Sequence, residues 1–267
     1  IVFGFSSWNF NRQVNAEIEN IISQENFQEK TVVTEQMVSS LPSPVKNWLN
    51  NIGVVGREKA QTVYLKQTGQ IKLKPDQKDW YDAEAEQYIT VNNPAFLWKL
   101  DMNMMPLIKV KGRDMFMNGE GDMQIKVASL IPMVNVSDNK RVNQSALQRY
   151  LAELIWYPSA AISPYITWKK IDETTARATM EYKGVTGSVN FHFDKNGNFK
   201  KITAQRYRDT DEDAELKEWT GKVESFSTVD GIKIPTKINI TWGLEEGNFT
   251  WYKLKIFDVN YNFNKEI

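Results

Sequence analysis

A chain of 267 residues, 41% hydrophobic and 25% charged, has an ordinary globular composition and enough apolar material for a sizeable core without covalent staples. Its 33 basic and 33 acidic side chains balance, which argues against the clustered basic excess of a nucleic-acid-binding surface. The absence of cysteine excludes disulfides, thiolate metal sites, cysteine nucleophiles and an acylated cysteine, and the single histidine excludes His-rich metal sites. A disulfide-free fold leaves the redox compartment open.

The sequence begins IVFGFSSWNF. This run is too short to span a bilayer. Two readings stand: the remnant of a removed signal or membrane anchor, or an ordinary first strand or helical turn. The expected location is membrane-anchored or periplasmic, with the cytoplasm left open.

Residues 8–53 read as helical. In NRQVNAEIENIISQ, Val14, Ile18, Ile21 and Ile22 fall on one stripe. Thr34 is placed to cap EQMVSSL, and LPSPVKNWLNNIG carries Pro44 at a helix start and Gly53 at its stop. From residue 61 the period drops to two. TVYLKQTGQIKL puts Val63, Leu65, Ile71 and Leu73 on one face. WYDAEAEQYITV sets Tyr81, Ala83, Ala85, Ile89 and Val91 against Asp82, Glu84 and Glu86, and FLWKLDMNM aligns Phe96, Trp98, Leu100, Met102 and Met104. Such one-sided alternation indicates antiparallel strands with one wet face.

PLIKVKGRDMFM and DMQIKVASLIP continue the strands. A helix over 144–157 then interrupts them, capped by Asn143 or Ser145, with Leu147, Tyr150, Leu151 and Leu154 as its buried stripe and Pro158 as its end. Strands resume to the C-terminus, with a type I′ turn expected at Asn196-Gly197 and an acidic exposed loop at 209–215. No helices alternate with the strands elsewhere, so the fold is not doubly wound. The expected class is α+β, with ten to twelve strands in a curved, largely antiparallel half-barrel wrapped over the central helix. The N-terminal helical segment (1–60) packs on this half-barrel (61–267), and its helices are also candidates to fill the concave side. No linker divides the chain, which reads as one continuous domain.

Several stretches resemble a family of uncharacterised bacterial proteins: LPSPVKNWLNNIGVVG (41–56), AEQYITVNNPAFLW (85–98), GRDMFMNGEGDM (112–123), QRYLAELIWYPSAAISPYITW (148–168) and DGIKIPTKINITW (230–242). That family has no established activity, so the resemblance implies no catalytic residues. DGIKIPTK, set among long meandering strands, is also similar to the LolA/LolB-like lipoprotein carriers of the bacterial envelope. This second resemblance implies an acyl chain held between a curved sheet and a helical lid.

Seven of the nine methionines lie within 102–133: Met102, Met104, Met105, Met115, Met117, Met123 and Met133. Flexible thioether side chains suit a pocket for varied apolar ligands, and they equally fill gaps in a core. Met102, Met104, Met115 and Met117 are the candidate lining. Arg149 and Glu153, one helical turn apart, are a candidate head-group anchor at a pocket mouth beside Trp156, or a helix-to-sheet ion pair. The Trp156–Trp168 segment reads as a packing corner that could frame a ligand. His192 shares a strand face with Ser188 and Asn190 and lacks a recognisable triad. Asp114, Glu120 and Asp122 do not match the EF-hand spacing and read as a solvated turn.

The leading expectation is a non-enzymatic binder of a lipid or other apolar small molecule in the cell envelope, with no cofactor, no metal and no nucleic-acid partner. The alternatives are a hydrolase using Glu153 or His192, and a structural or partner-binding module. Ligand identity and oligomeric state do not follow from the sequence.

Overall fold

A computed structural model of the protein describes residues 2–105, 108–127 and 131–263. Three helices come first: α1 (Val2–Ser23), α2 (Glu35–Ser39) and α3 (Ser43–Asn51). Six strands follow: β1 (Thr62–Ile71), β2 (Tyr81–Thr90), β3 (Ala95–Met105), β4 (Ile108–Met117), β5 (Glu120–Val127) and β6 (Ile131–Val136). After α4 (Lys140–Ala152) come β7 (Ile166–Lys170), β8 (Thr175–Tyr182), β9 (Val185–Phe193), β10 (Phe199–Tyr207), β11 (Leu216–Val229), β12 (Ile232–Leu244) and β13 (Gly247–Tyr261).

All thirteen strands join one sheet in the order β6-β5-β4-β3-β2-β1-β13-β12-β11-β10-β9-β8-β7, and every named pair is antiparallel. The chain therefore meanders outward from the centre to one edge, crosses over, and meanders back from the other edge. The crossing element is α4. It lies on the concave face and packs against β4 and β5 on one side and β8, β9 and β10 on the other. The sheet curls far enough for its two halves to touch: the Asn118-Gly119 turn meets Lys183, and the rings of Phe116 and Tyr182 lie 6.2 Å apart.

Glycines admit the helix at both walls. A Cβ on Gly121 would sit 2.8 Å from the Val142 carbonyl oxygen, and one on Gly187 would sit 2.7 Å from Gln148 Cγ. The expected buried stripe is present, since Leu147, Tyr150, Leu151 and Leu154 are all fully enclosed. The helix bounds differ from 144–157. Asn139, not Asn143 or Ser145, caps α4, its Oδ1 accepting from the Arg141 and Val142 N–H groups. Asn143 instead accepts from Gly121 N, and the Ser145 hydroxyl donates to the Tyr207 carbonyl. At the C-terminal end the chain tightens into 3-10 turns at Glu153–Ile155 and Pro158–Ile162. The Tyr157 hydroxyl, folded back, donates to the Tyr150 carbonyl at 2.6 Å, which occupies one of the acceptors freed at a helix end. Asn139→Ala is expected to lower unfolding stability by ~1 kcal/mol, measured in urea, because two N-terminal N–H groups lose their acceptor.

The N-terminal helices divide between the faces. α3 lies against β8, and its Trp48 packs within 5.8 Å of the rings of Phe191 and Phe193. α1 does not fill the concave side. Its Phe10, Val14, Ile18, Ile21 and Ile22 cover Ala95 and Leu97 on the convex face of β3. The outward positions there are apolar, unlike the polar backs of β1 and β2, and so need a cover.

Two local expectations are corrected. At Asn196-Gly197 only Gly197 takes a positive φ, and its N–H bonds back to the Asp194 carbonyl, so the hairpin is not type I′. Asp194 Oδ1 accepts from Asn196 N and Asn198 N and fixes the turn instead. The I′ pattern of two positive φ values occurs at Asn118-Gly119, Lys183-Gly184 and Asp230-Gly231. The stretch DMQIKVASLIP is not one strand: β5 ends at Val127, β6 begins at Ile131, and 128–130 lie outside the described residues.

Candidate functional site in the half-barrel interior

Helical spacing puts Ser145 and Arg149 on the face of α4 that looks along the interior. Arg149 reaches across to the sheet, where its Nη1 lies 2.5 Å from Asp114 Oδ2 on β4 and its Nε 2.9 Å from Glu153 Oε1. The guanidinium sits 4.9 Å from the ring centroids of both Phe96 and Trp98. Gln87 on β2 donates to Glu153 Oε2 at 2.5 Å, and Gln67 on β1 donates to Gln87 Oε1 at 3.2 Å. Gln67 Oε1 accepts from Trp98 Nε1 and from the Tyr252 hydroxyl. One connected polar network thus joins α4, β1, β2, β3, β4 and β13 inside an apolar shell. Burial opposes the Arg149 charge, but Glu153 and Asp114 outweigh it and hold its pKa above the ordinary value. Burial raises the pKa of Glu153 against the pull of Arg149.

A second interior arginine is differently placed. Arg206 on β10 follows the buried Ile202 and Ala204 on the concave face. Its guanidinium stacks 4.8 Å from the Trp219 ring and 6.0 Å from that of Trp242. Its Nη2 donates to the Ser145 carbonyl at 2.7 Å, while its Nε is shut off from solvent and has no hydrogen-bond partner among the described residues. Among the described residues no carboxylate forms an ion pair with it. Burial, reinforced by the positive charge of Arg149, pushes its pKa down to about 10.

Strand register then draws an apolar band around the interior. Trp219 pairs with Trp242, and Ile240 with Tyr252. Tyr252 pairs with Ile71 and Leu254 with Gly69, which opposes Ala83. Ala83 pairs with Met102, Met102 with Val110, and Val110 with Val127. Apart from Gly69, these side chains belong to or pack on one continuous apolar cluster. Apart from β4 and β5, the band's strands are not those against which α4 mainly packs.

The structure brings together Arg149, Glu153 and, on the same concave face, Met102 and the half-buried Met104. It separates Met115 and Met117. Phe116 takes the inward position on β4, so its two neighbours point to the convex face and pack under α1. The side chain of Met105 lies outside the described part, and Met133 is exposed on β6. Trp156 is a buried corner: its indole N–H donates to the Pro235 carbonyl, and its own carbonyl accepts from Tyr261. Asp114 and Asp122 face opposite sides, the latter pairing with Arg113 at 2.6 Å. Among the described residues no cluster of His, Asp and Glu is placed to hold a metal ion.

His192 lies on the opposite face of the sheet from Glu153, between Thr175 and Thr203 at 3.4 and 2.9 Å. Burial, with a smaller contribution from Lys201, holds its pKa below the ordinary 6.5. The unfolded chain therefore takes up this proton first, and stability is lost as pH falls from 6.5 toward the lowered native value. Glu25 and Glu153, both raised by burial, act with the opposite sign. Unfolding midpoints measured across this range are expected to decline toward acid in the wild type and to decline less in His192→Gln.

Two surface clefts lie elsewhere. One, of about 310 Å³, is lined by polar residues such as Gln28, Glu29, Gln61 and Asn92; the other, of about 390 Å³, follows the outer face of α1 near Trp8 and Arg12. Among the described residues no helix is long and apolar enough to cross a membrane.

No curated protein matches the chain. Among solved structures, a LolA superfamily protein from Nitrosomonas europaea is similar over 88% of this chain and 96% of its own, with 14% identity and a TM-score of 0.47. Residues 39–261 match a family of unknown function, DUF6920. That match covers most of the chain, including every strand and the whole Arg149 network, and the protein belongs to this family.

Proposed function

We propose that the protein holds an apolar molecule, an acyl chain or a lipid, inside the half-barrel without chemically changing it. The observation that carries this reading is the apolar band, which continues across eight strands and has the Trp219–Trp242 pair at one end, beside Arg206. Burial of each ligand methylene contributes about 0.8 kcal/mol, so a chain of moderate length binds usefully even after ordering and association costs. Met102 and Met104 lie on this wall, where unbranched side chains repack around ligands of differing shape. The resemblance of DGIKIPTK to envelope lipoprotein carriers supports a location in the cell envelope.

A fluorescent fatty-acid probe titrated into the wild type is expected to bind saturably. The Met102→Asp/Met104→Asp variant is expected to lose that binding while keeping its circular dichroism spectrum. Met104→Asp alone, at the half-buried position, is the gentler variant and is expected to weaken it. A wild type without saturable binding, or variants that bind equally well, would refute the reading and leave the methionines as core filling.

A further inference from the structure

The two interior arginines differ in one respect that bears on what the pocket takes. Arg149 carries both nearby carboxylates, Asp114 and Glu153. Among the described residues Arg206 carries none, and the hydrogen bond its side chain makes there is to a backbone carbonyl. A guanidinium in a desolvated setting costs free energy unless an anion joins it. Trp219 and Trp242 stabilise the cation from one side, but rings cannot satisfy its N–H donors. The Nε–H remains without an acceptor, and the side chain is only partly enclosed, so its environment is not sealed.

Resting on the reading above, we infer that Arg206 anchors the anionic head group, a carboxylate or a phosphate monoester, of a single-chain amphiphile whose tail lies along the Trp219–Trp242 wall. The guanidinium fork matches both head groups through paired N–H donors. The tail direction follows from register: the Trp219–Trp242 pair stands at one end of the band and Ile240 continues it toward Tyr252. A neutral head group would leave the guanidinium without a counter-charge, and a cationic one would be repelled by it. The acidic loop 209–215 follows Arg206 in the chain, but nearly all its side chains are exposed, where salt screens them.

Competition separates the anchor from the pocket. The neutral probe N-phenyl-1-naphthylamine is bound to the protein and displaced by decanol, decanoate, decyl phosphate or decyltrimethylammonium, at a pH where the acid is ionised. In the wild type the two anions are expected to displace the probe at concentrations about tenfold lower than decanol, as a charge-assisted contact implies. Arg206→Gln is expected to bring the anions to the decanol level and to leave decanol unchanged. Arg206→Lys keeps the charge and is expected to keep part of the preference, so it decides the matter if the glutamine variant folds poorly. Equal displacement by decanol and decanoate in the wild type, or an undiminished anion preference in Arg206→Gln, overturns the anchor and leaves the pocket standing. Failure of every chain to displace the probe overturns the pocket itself. Sodium acetate alone is expected to displace nothing, because the tail supplies most of the binding.

Discussion

Arg149→Met is expected to destabilise the fold by about 3–5 kcal/mol, the usual consequence of removing one partner from a buried ion pair. The cause is what remains behind. Asp114 and Glu153 both point at the guanidinium from enclosed positions, and without it two carboxylates face one another in an apolar shell. Gln87 would keep its bond to Glu153 and so would not relieve the charge. Guanidinium-chloride unfolding measures the loss. The triple variant Arg149→Met/Asp114→Asn/Glu153→Gln is expected to recover much of it, since removing all the charges removes the uncompensated burial. A loss below about 1 kcal/mol in the single variant would place the site in the range of solvated surface pairs instead.

Leu151→Ala is expected to cost ~2–5 kcal/mol by lost burial and a residual cavity. Leu151 is fully enclosed in the last turn of α4, between two walls of the same sheet, where both sides are anchored by strand pairing. Collapse around the cavity is therefore limited. Leu216→Ala, at an exposed strand start, is the control and is expected to change stability by less than about 0.5 kcal/mol. If the two substitutions had similar effects, α4 would not be the centre of the core.

The alternation of period two makes the sheet legible in the sequence. It also carries the trace of the polar network, in the polar residues that interrupt its inward rows. Gln67 follows Leu65 in the inward register of β1, and Gln87 sits between Ala85 and Ile89 on β2. Arg206 likewise follows Ala204, and Asp114 precedes Phe116 by two. Each is a polar break in an otherwise apolar inward row. Their partnership was not legible, because Asp114 and Arg149 meet only through the crossover of α4 from one sheet edge to the other. The methionine cluster was misleading for a simpler reason. Composition groups Met102 with Met115, while strand parity puts them on opposite faces of one sheet. The turn at 196–198 departed from type I′ because Asp194 supplies a side-chain acceptor that the dipeptide alone does not show.

The apolar band as a ligand site is tested most directly by photo-crosslinking. A fatty acid bearing a diazirine near its tail is bound to the purified protein, irradiated, and the labelled residues are mapped by peptide mass spectrometry. The expected labels fall on the band, at Met102, Ile240 and Tyr252, and are suppressed by excess unlabelled fatty acid. Labels confined to the exposed Ile131 and Met133 of β6 or to the outer face of α1, or labels that excess fatty acid does not suppress, would contradict an interior site.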